Sequence, residues 1–158
     1  MPEISKKIIN NIINSEAYQN AHSIMIFYPL KYEINLLPLL NIAPDKQFFL
    51  PRMSGNTLEV CPYNGNDKLV CSKYQIFEPV TQPVDKNLID IIFIPALCTD
   101  KNFNRLGYGK GFYDNLLRDY NKLKICVCPE ELVFDNIPYE NHDIKMNFII
   151  TQKEIYKK

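Results

Sequence analysis

The segment at residues 88–94, Leu-Ile-Asp-Ile-Ile-Phe-Ile, ended by Pro95, constrains the fold more than any other feature of the chain. Six of its seven residues are apolar and four are isoleucine. β-Branched side chains suit a pleated surface, and a run without polar alternation needs cover on both faces. That predicts a central strand of a parallel sheet, and parallel strands require crossover connections that lay helices against the sheet. Ile4, Ile8, Ile9, Ile12 and Ile13 form the apolar stripe of an opening amphipathic helix. Tyr113, Leu116, Leu117 and Tyr120 repeat at helical spacing further on.

Residues 23–28, 47–50, 124–128 and 147–151 read as further strands, and a short strand around 58–61 lies between the turns 54–56 and 64–66. Asn35 is placed to cap a short helix over 36–41. Residues 77–83 read as irregular, and a short Lys-rich helix is expected after the last strand. Strands and helices alternate almost throughout, which predicts a single domain over residues 1–158. Its architecture is expected to be a three-layer α/β/α sandwich with a mostly parallel sheet.

A chain of 158 residues can bury roughly 70% of its unfolded surface, so the core needs no staples. Eighteen Lys and Arg balance 18 Asp and Glu, which leaves no electrostatic footprint for nucleic acid or an anionic membrane. Any basic site is therefore local, and with only three arginines, Arg52, Arg105 and Arg118, each merits inspection. No apolar run approaches the roughly 20 residues of a membrane span, and no signal-peptide core follows the first residues. The five cysteines are odd in number and irregular in spacing, which fits reduced thiols with structural roles. A soluble, cytoplasmic monomer is expected. His22 and His142 are too few for a histidine metal site.

Three of the five glycines fall within Arg105-Leu-Gly-Tyr-Gly-Lys-Gly-Phe-Tyr-Asp114, between a buried strand with its loop and a helix. Glycine allows positive φ and close approach to the main chain, and the free N–H groups of a helix start favour an anion. Arg105 and Lys110 add positive charge at the same rim. The spacing is neither that of a P-loop nor that of a dinucleotide fingerprint. Read alone, the segment is either a phosphate site or a tight strand-to-helix connection. Asp114, one turn into the helix, suits either Mg²⁺ or the helix dipole. Arg52 is either a ligand contact or a solvated side chain, Glu33 an ordinary loop acid, and Asp143 an Asx-turn residue.

The span from Phe93 to Asp114, with its Arg-Leu-Gly-x-Gly-x-Gly-x-Tyr-Asp core, resembles the signature of the 5-formyltetrahydrofolate cyclo-ligase (methenyltetrahydrofolate synthetase) family. Further marks stand in order: Tyr28 to Glu33 with Ile34, Leu50-Pro51-Arg52, Glu78-Pro79, and Ile137-Pro138 through His142-Asp143 to Thr151. The resemblance covers roughly residues 5–155. It implies a fold like that of the sugar-isomerase/CoA-transferase group and ATP- and Mg²⁺-dependent conversion of 5-formyltetrahydrofolate to 5,10-methenyltetrahydrofolate, with release of ADP and phosphate.

Carried over residue by residue, the resemblance places ATP phosphates on Arg105, Leu106, Gly107, Tyr108, Gly109, Lys110, Gly111, Phe112 and Tyr113. It gives Arg105, Lys110 and Tyr113 the catalytic roles and makes Asp114 and Asp143 the Mg²⁺ ligands. Tyr28, Glu33, Tyr108 and Phe112 would line the folate pocket, with Glu33 accepting the pterin's hydrogen bonds. The chain departs from the pattern in four places. The family's basic Lys-x-x-x-Arg helix has no counterpart, Lys6 and Lys7 being wrongly spaced. Tyr108 stands where many members carry Arg, Phe112 replaces Tyr, and Thr99 replaces Phe. Two alternatives follow from these departures: a noncatalytic folate- or nucleotide-binding member, or an ATP-dependent enzyme acting on a related formamide.

Overall fold

The computed structural model describes residues 1–158. The chain opens with helices α1 (Pro2–Ile13) and α2 (Glu16–Asn20), then strands β1 (Ser23–Met25), β2 (Gln47–Ser54), β3 (Thr57–Pro62), β4 (Leu69–Cys71) and β5 (Phe77–Pro79). It continues through β6 (Ile91–Ile94), β7 (Cys98–Asp100), β8 (Arg105–Leu106), helix α3 (Phe112–Leu117), β9 (Leu123–Val127), β10 (Val133–Phe134), β11 (Phe148–Ile150) and β12 (Ile155–Lys157). Seven strands form the main sheet in the order β12-β11-β9-β6-β1-β2-β3. β11, β9, β6, β1 and β2 run parallel, while β3 and β12 close the edges antiparallel.

The period-two alternation of the strands divides the core in two. Ile24, Phe48, Leu50, Ile91, Phe93, Ile125 and Val127 face Ile8, Ile9 and Ile12 of α1 on one side. Met25, Phe49, Ile92, Ile94 and Cys126 face Leu116, Leu117 and Tyr120 on the other. Helical cover therefore lies on both faces, as the unbroken apolar run of β6 requires. The run's one polar member, Asp90, accepts hydrogen bonds from the N–H groups of His22 (2.8 Å) and Ser23 (3.2 Å), so it anchors the start of β1. No helix is long and apolar enough to cross a membrane.

Several local expectations are corrected. The C-terminus is strand β12, not a Lys-rich helix, because the Thr151 hydroxyl accepts from Lys153 and Glu154 N–H (3.1 Å each) and turns the chain back along β11. Residues 77–79, read as irregular, pair with β4 to make a hairpin. Over Leu37–Asn41 the chain forms a 3₁₀ turn, opened by Asn35 Oδ1 accepting from Leu37 N–H at 3.0 Å. The strand read over 88–94 begins only at Ile91, since Lys86–Leu88 is a 3₁₀ turn capped by Asp85. All five cysteines are free, and Cys71 is exposed, so it takes no part in packing.

Candidate functional site

In a parallel sheet the loops at the carboxyl ends of the strands are free to converge on a ligand. Here the segments leaving β1, β6 and β9 do so. Phe27, Glu33, Pro95, Leu97, Tyr108 and Cys128 are among the residues lining a cavity of about 160 Å³ at that end. Two larger surface depressions, of about 530 and 560 Å³, lie around Lys46 and Tyr63 and beside the Lys6 and Lys7 face of α1. The first is lined mainly by the segment that leads into β2 and by the end of β3, and the second mainly by α1. Segments following three parallel strands meet at the smaller cavity, which is the better site.

Arg105 is the best-held cation at this site. Its side chain is only 7% exposed and lies 3.9 Å from the Asp114 carboxylate. Its Nη1 donates to the Pro95 carbonyl at 2.8 Å, and the guanidinium stands 5.7 Å from the centre of the Tyr113 ring. A Cβ on Gly107 would sit 2.7 Å from Arg105 Nη1, so only glycine lets the turn press against that guanidinium. Gly111 is the residue before α3 and has φ +72°, a left-handed conformation that glycine takes without strain. α3 is only six residues long, so positive charge here resides in Arg105 and Lys110 rather than in a helix dipole.

Glu33 is partly buried and its Oε1 accepts from Leu30 N–H at 2.7 Å. Burial pushes its carboxyl above the ordinary value, opposed by hydrogen bonds from Leu30 N–H and the Tyr108 hydroxyl and by the charge of Arg105. Burial and the facing Glu33 raise the Tyr108 phenol to about 12, and they push Tyr113 further still. Both phenols therefore remain protonated donors at neutral pH. Glu33, Tyr108, Arg105 and Tyr113 form one interacting group, although Glu33 lies more than 70 residues from the others in sequence.

The remaining candidates are held by other contacts. Tyr28 packs against Phe77 of the β4–β5 hairpin, with ring centres 5.3 Å apart, and Lys110 Nζ lies 4.8 Å from the centre of the Tyr74 ring in the same hairpin. Leu106 is exposed, whereas Phe112 is half-buried at the first position of α3. Asp114 leans on Arg105, while Asp143 accepts from Glu140 N–H at 2.8 Å and lies 3.8 Å from His142. No group of three His, Cys, Asp or Glu side chains is gathered around a common point. Mg²⁺ commonly takes only one or two carboxylates plus phosphate oxygens, and both aspartates are half-exposed oxygen donors, so their chemistry fits it.

Three residues with structural work escaped the sequence reading. Tyr74 and Phe77 belong to a segment whose pairing was not legible. Asp100 is fully buried, and it accepts from Asn102, Asn104 and Ile137 N–H and from the Asn104 side chain at 3.0–3.1 Å. It thereby ties the loop before Arg105 to the segment that leads to Asp143. Arg52 is neither solvated nor turned to a ligand. It pairs with Glu59 at 3.1 Å and donates to the carbonyls of Pro79 (3.2 Å) and Thr81 (2.8 Å), fixing the hairpin's exit.

Residues 3–152 match the sequence model of the 5-formyltetrahydrofolate cyclo-ligase family. The chain belongs to that cyclo-ligase family. Among curated cyclo-ligases, the mouse protein is 25% identical over 90% of this chain and 79% of its own length. The Escherichia coli K12 protein is 24% identical over 87% of this chain and 81% of its own. The solved structure of Aquifex aeolicus 5,10-methenyltetrahydrofolate synthetase superposes with a TM-score of 0.89 at 29% identity, covering 98% of this cyclo-ligase and 81% of that chain. The Mycoplasma pneumoniae synthetase gives 0.75 at 19% identity over 96% and 86%, a likeness of fold.

Proposed function

We propose that this cyclo-ligase converts 5-formyltetrahydrofolate to 5,10-methenyltetrahydrofolate with ATP and Mg²⁺, releasing ADP and phosphate. The observation that carries the reading is the placement of Glu33 and of Tyr108 from the glycine turn on one cavity, with Arg105 bonded to Pro95 of its wall, in a chain of this family. Glu33 accepts hydrogen bonds from the pterin's N–H groups and so orients the formamide towards the turn. Arg105, held by Pro95, and Lys110 balance the charge of the phosphates. Tyr113, kept protonated, supports the guanidinium from below.

The formamide oxygen bonds to the γ-phosphorus as the bond to the ADP oxygen breaks. N10 then attacks the formyl carbon and loses its proton, and the C–O bond breaks to release phosphate. Asp114 and Asp143 would hold Mg²⁺, which when bound would supply neutralisation of phosphate charge. The fold comparison with sugar-isomerase/CoA-transferase-like sandwiches, one domain over 1–158, a monomeric state and a cytoplasmic location belong to the same reading.

The test is formation of the methenyl product, followed by near-ultraviolet absorbance with ATP, Mg²⁺ and 5-formyltetrahydrofolate. Product that requires ATP and collapses in Lys110→Ala and Asp114→Asn is the expected result. A folded protein that yields no product under any nucleotide and folate concentration would overturn the reading.

A further inference from the structure

The cavity measures about 160 Å³, whereas pockets for ligands the size of a folate start near ~300 Å³. With the pterin seated on Glu33, the aminobenzoyl ring and the glutamate therefore leave by the rim. That rim is apolar. Of the large hydrophobic side chains that the protein exposes, Met1, Tyr32, Leu97 and Tyr108 all border this one cavity, and Tyr32 is the most exposed of them at 78%. Local backbone chemistry puts it there. Glu33 N–H donates to the Leu30 carbonyl at 3.0 Å, and Glu33 Oε1 accepts from Leu30 N–H at 2.7 Å. The turn is thus closed twice, once through the main chain and once through the carboxylate itself. Lys31 and Tyr32 are its two central residues, and both are exposed while the turn holds Glu33 at the cavity. The Lys31 ammonium stands 5.7 Å from the centre of the Tyr32 ring.

We propose that Tyr32 and Lys31 form the seat for the tail of the folate: the Tyr32 ring stacks on the aminobenzoyl ring, and Lys31 takes a glutamate carboxylate. The inference rests on the functional reading above and adds to it the residues that recognise the substrate beyond its pterin. Three consecutive side chains, an ammonium, a ring and a carboxylate, complement the carboxylates, ring and N–H donors of the ligand in the same order. A tyrosine offers a large flat contact with few rotatable bonds, so ordering it on a ligand costs little. Lys31 is a compact charge on a flexible stem, which suits a carboxylate at the end of a mobile tail. N10 is bonded to the aminobenzoyl ring, so a ring fixed on Tyr32 also holds the nucleophile near the formyl carbon.

The experiment compares two ligands by calorimetry: 5-formyltetrahydrofolate, and 5-formyl-6-methyltetrahydropterin, which keeps the pterin and the formamide but lacks the tail. Each is titrated into the natural protein, Tyr32→Ala, Tyr32→Phe and Lys31→Ala. Both positions are exposed, so the core is untouched. Tyr32→Ala should weaken folate binding about tenfold and leave the tail-less ligand unchanged, while Tyr32→Phe keeps the natural affinity for both. Lys31→Ala should weaken the folate alone, by about two- to fivefold and by less at high salt. If Tyr32→Ala binds the folate as the natural protein does, or weakens both ligands equally, or if Tyr32→Phe loses as much as alanine, the seat is overturned and the functional reading stands. Natural folate affinity in Lys31→Ala overturns the part given to the ammonium. If the natural protein binds neither ligand, the functional reading and the seat fall together.

Discussion

Gly107→Ala tests the packing on which the basic site rests. The new Cβ would lie 2.7 and 2.9 Å from the two Arg105 Nη atoms and 3.2 Å from Cζ, so the guanidinium must retreat by roughly 0.7 Å to reach ordinary contact. A guanidinium on a mobile stem would yield cheaply, but this one is 7% exposed and bonded to Pro95 at 2.8 Å. Breaking a hydrogen bond to a charged group costs about 1.5–3 kcal/mol. Closer approach to the half-exposed Asp114 returns less than about 1 kcal/mol. The net loss of stability is about 1–2 kcal/mol, a fall in melting temperature of roughly 2–8 °C.

Activity is more sensitive, because a displacement near 1 Å at a reacting centre costs on the order of 100-fold in rate. Urea unfolding and kcat/KM for the methenyl product measure the two effects. Gly111→Ala is the control, since its Cβ meets nothing and only its φ of +72° is strained. It should lose about 1 kcal/mol of stability with Arg105 in place and less than tenfold in rate. In an Arg105→Ala background, Gly107→Ala should have no further effect on kcat/KM. The reasoning is refuted if Gly107→Ala retains half the natural kcat/KM, or if its effect is undiminished without Arg105.

Three further outcomes follow from named contacts. Burial holds Glu33 above its ordinary value, so its stabilising contribution is complete below the unfolded value near ~4.3 and is lost as pH rises through the folded one. Glu33→Gln should therefore melt no lower than the natural protein at pH 7 yet lose tenfold or more in folate affinity, and a lower melting temperature would contradict this. For Asp100, burial works to raise the carboxyl, but hydrogen bonds from the Asn104 side chain and from Asn104, Ile137 and Asn102 N–H hold it below its ordinary value. Its contribution is present above about pH 4 and is lost as pH falls through the depressed value; Asp100→Asn, which faces two donors with an amide, should cost about 2–3 kcal/mol at pH 7 by urea unfolding. Lys86 Nζ donates to the Leu116 carbonyl at 2.9 Å and to that of Arg118, closing the end of α3. Lys86→Met should lower the urea midpoint by about 1 kcal/mol, with folate affinity unchanged.

The elements legible in the sequence are those fixed by short-range chemistry. The stripe of α1, the two-faced run of β6 and the glycines of the turn declare themselves because periodicity and backbone freedom are local properties. The order of the family's marks along the chain was equally visible. Strand β12 was misread because Lys and Glu favour a helix in isolation, whereas pairing with β11 and the Tyr156 hydroxyl's 2.5 Å hydrogen bond to Glu130 hold the segment extended. The β4–β5 hairpin was missed because both its strands are short and half-exposed, so neither alternates cleanly.

The site divides along the same line. Residues 105–114 could be picked out by type and spacing, but Glu33, Tyr74 and Asp100 gain their roles from partners distant in sequence. A carboxylate in a loop is an ordinary solvated acid until the chain ends of β1 and β6 bring it beside Tyr108 and Arg105 and remove its water. The sequence alone determined which side chains were available for charge, hydrogen bonding and tight turns. Tertiary structure decided which of them meet, because burial and distance, which set both pKa and contact, exist only once the sheet has brought its loops to one end.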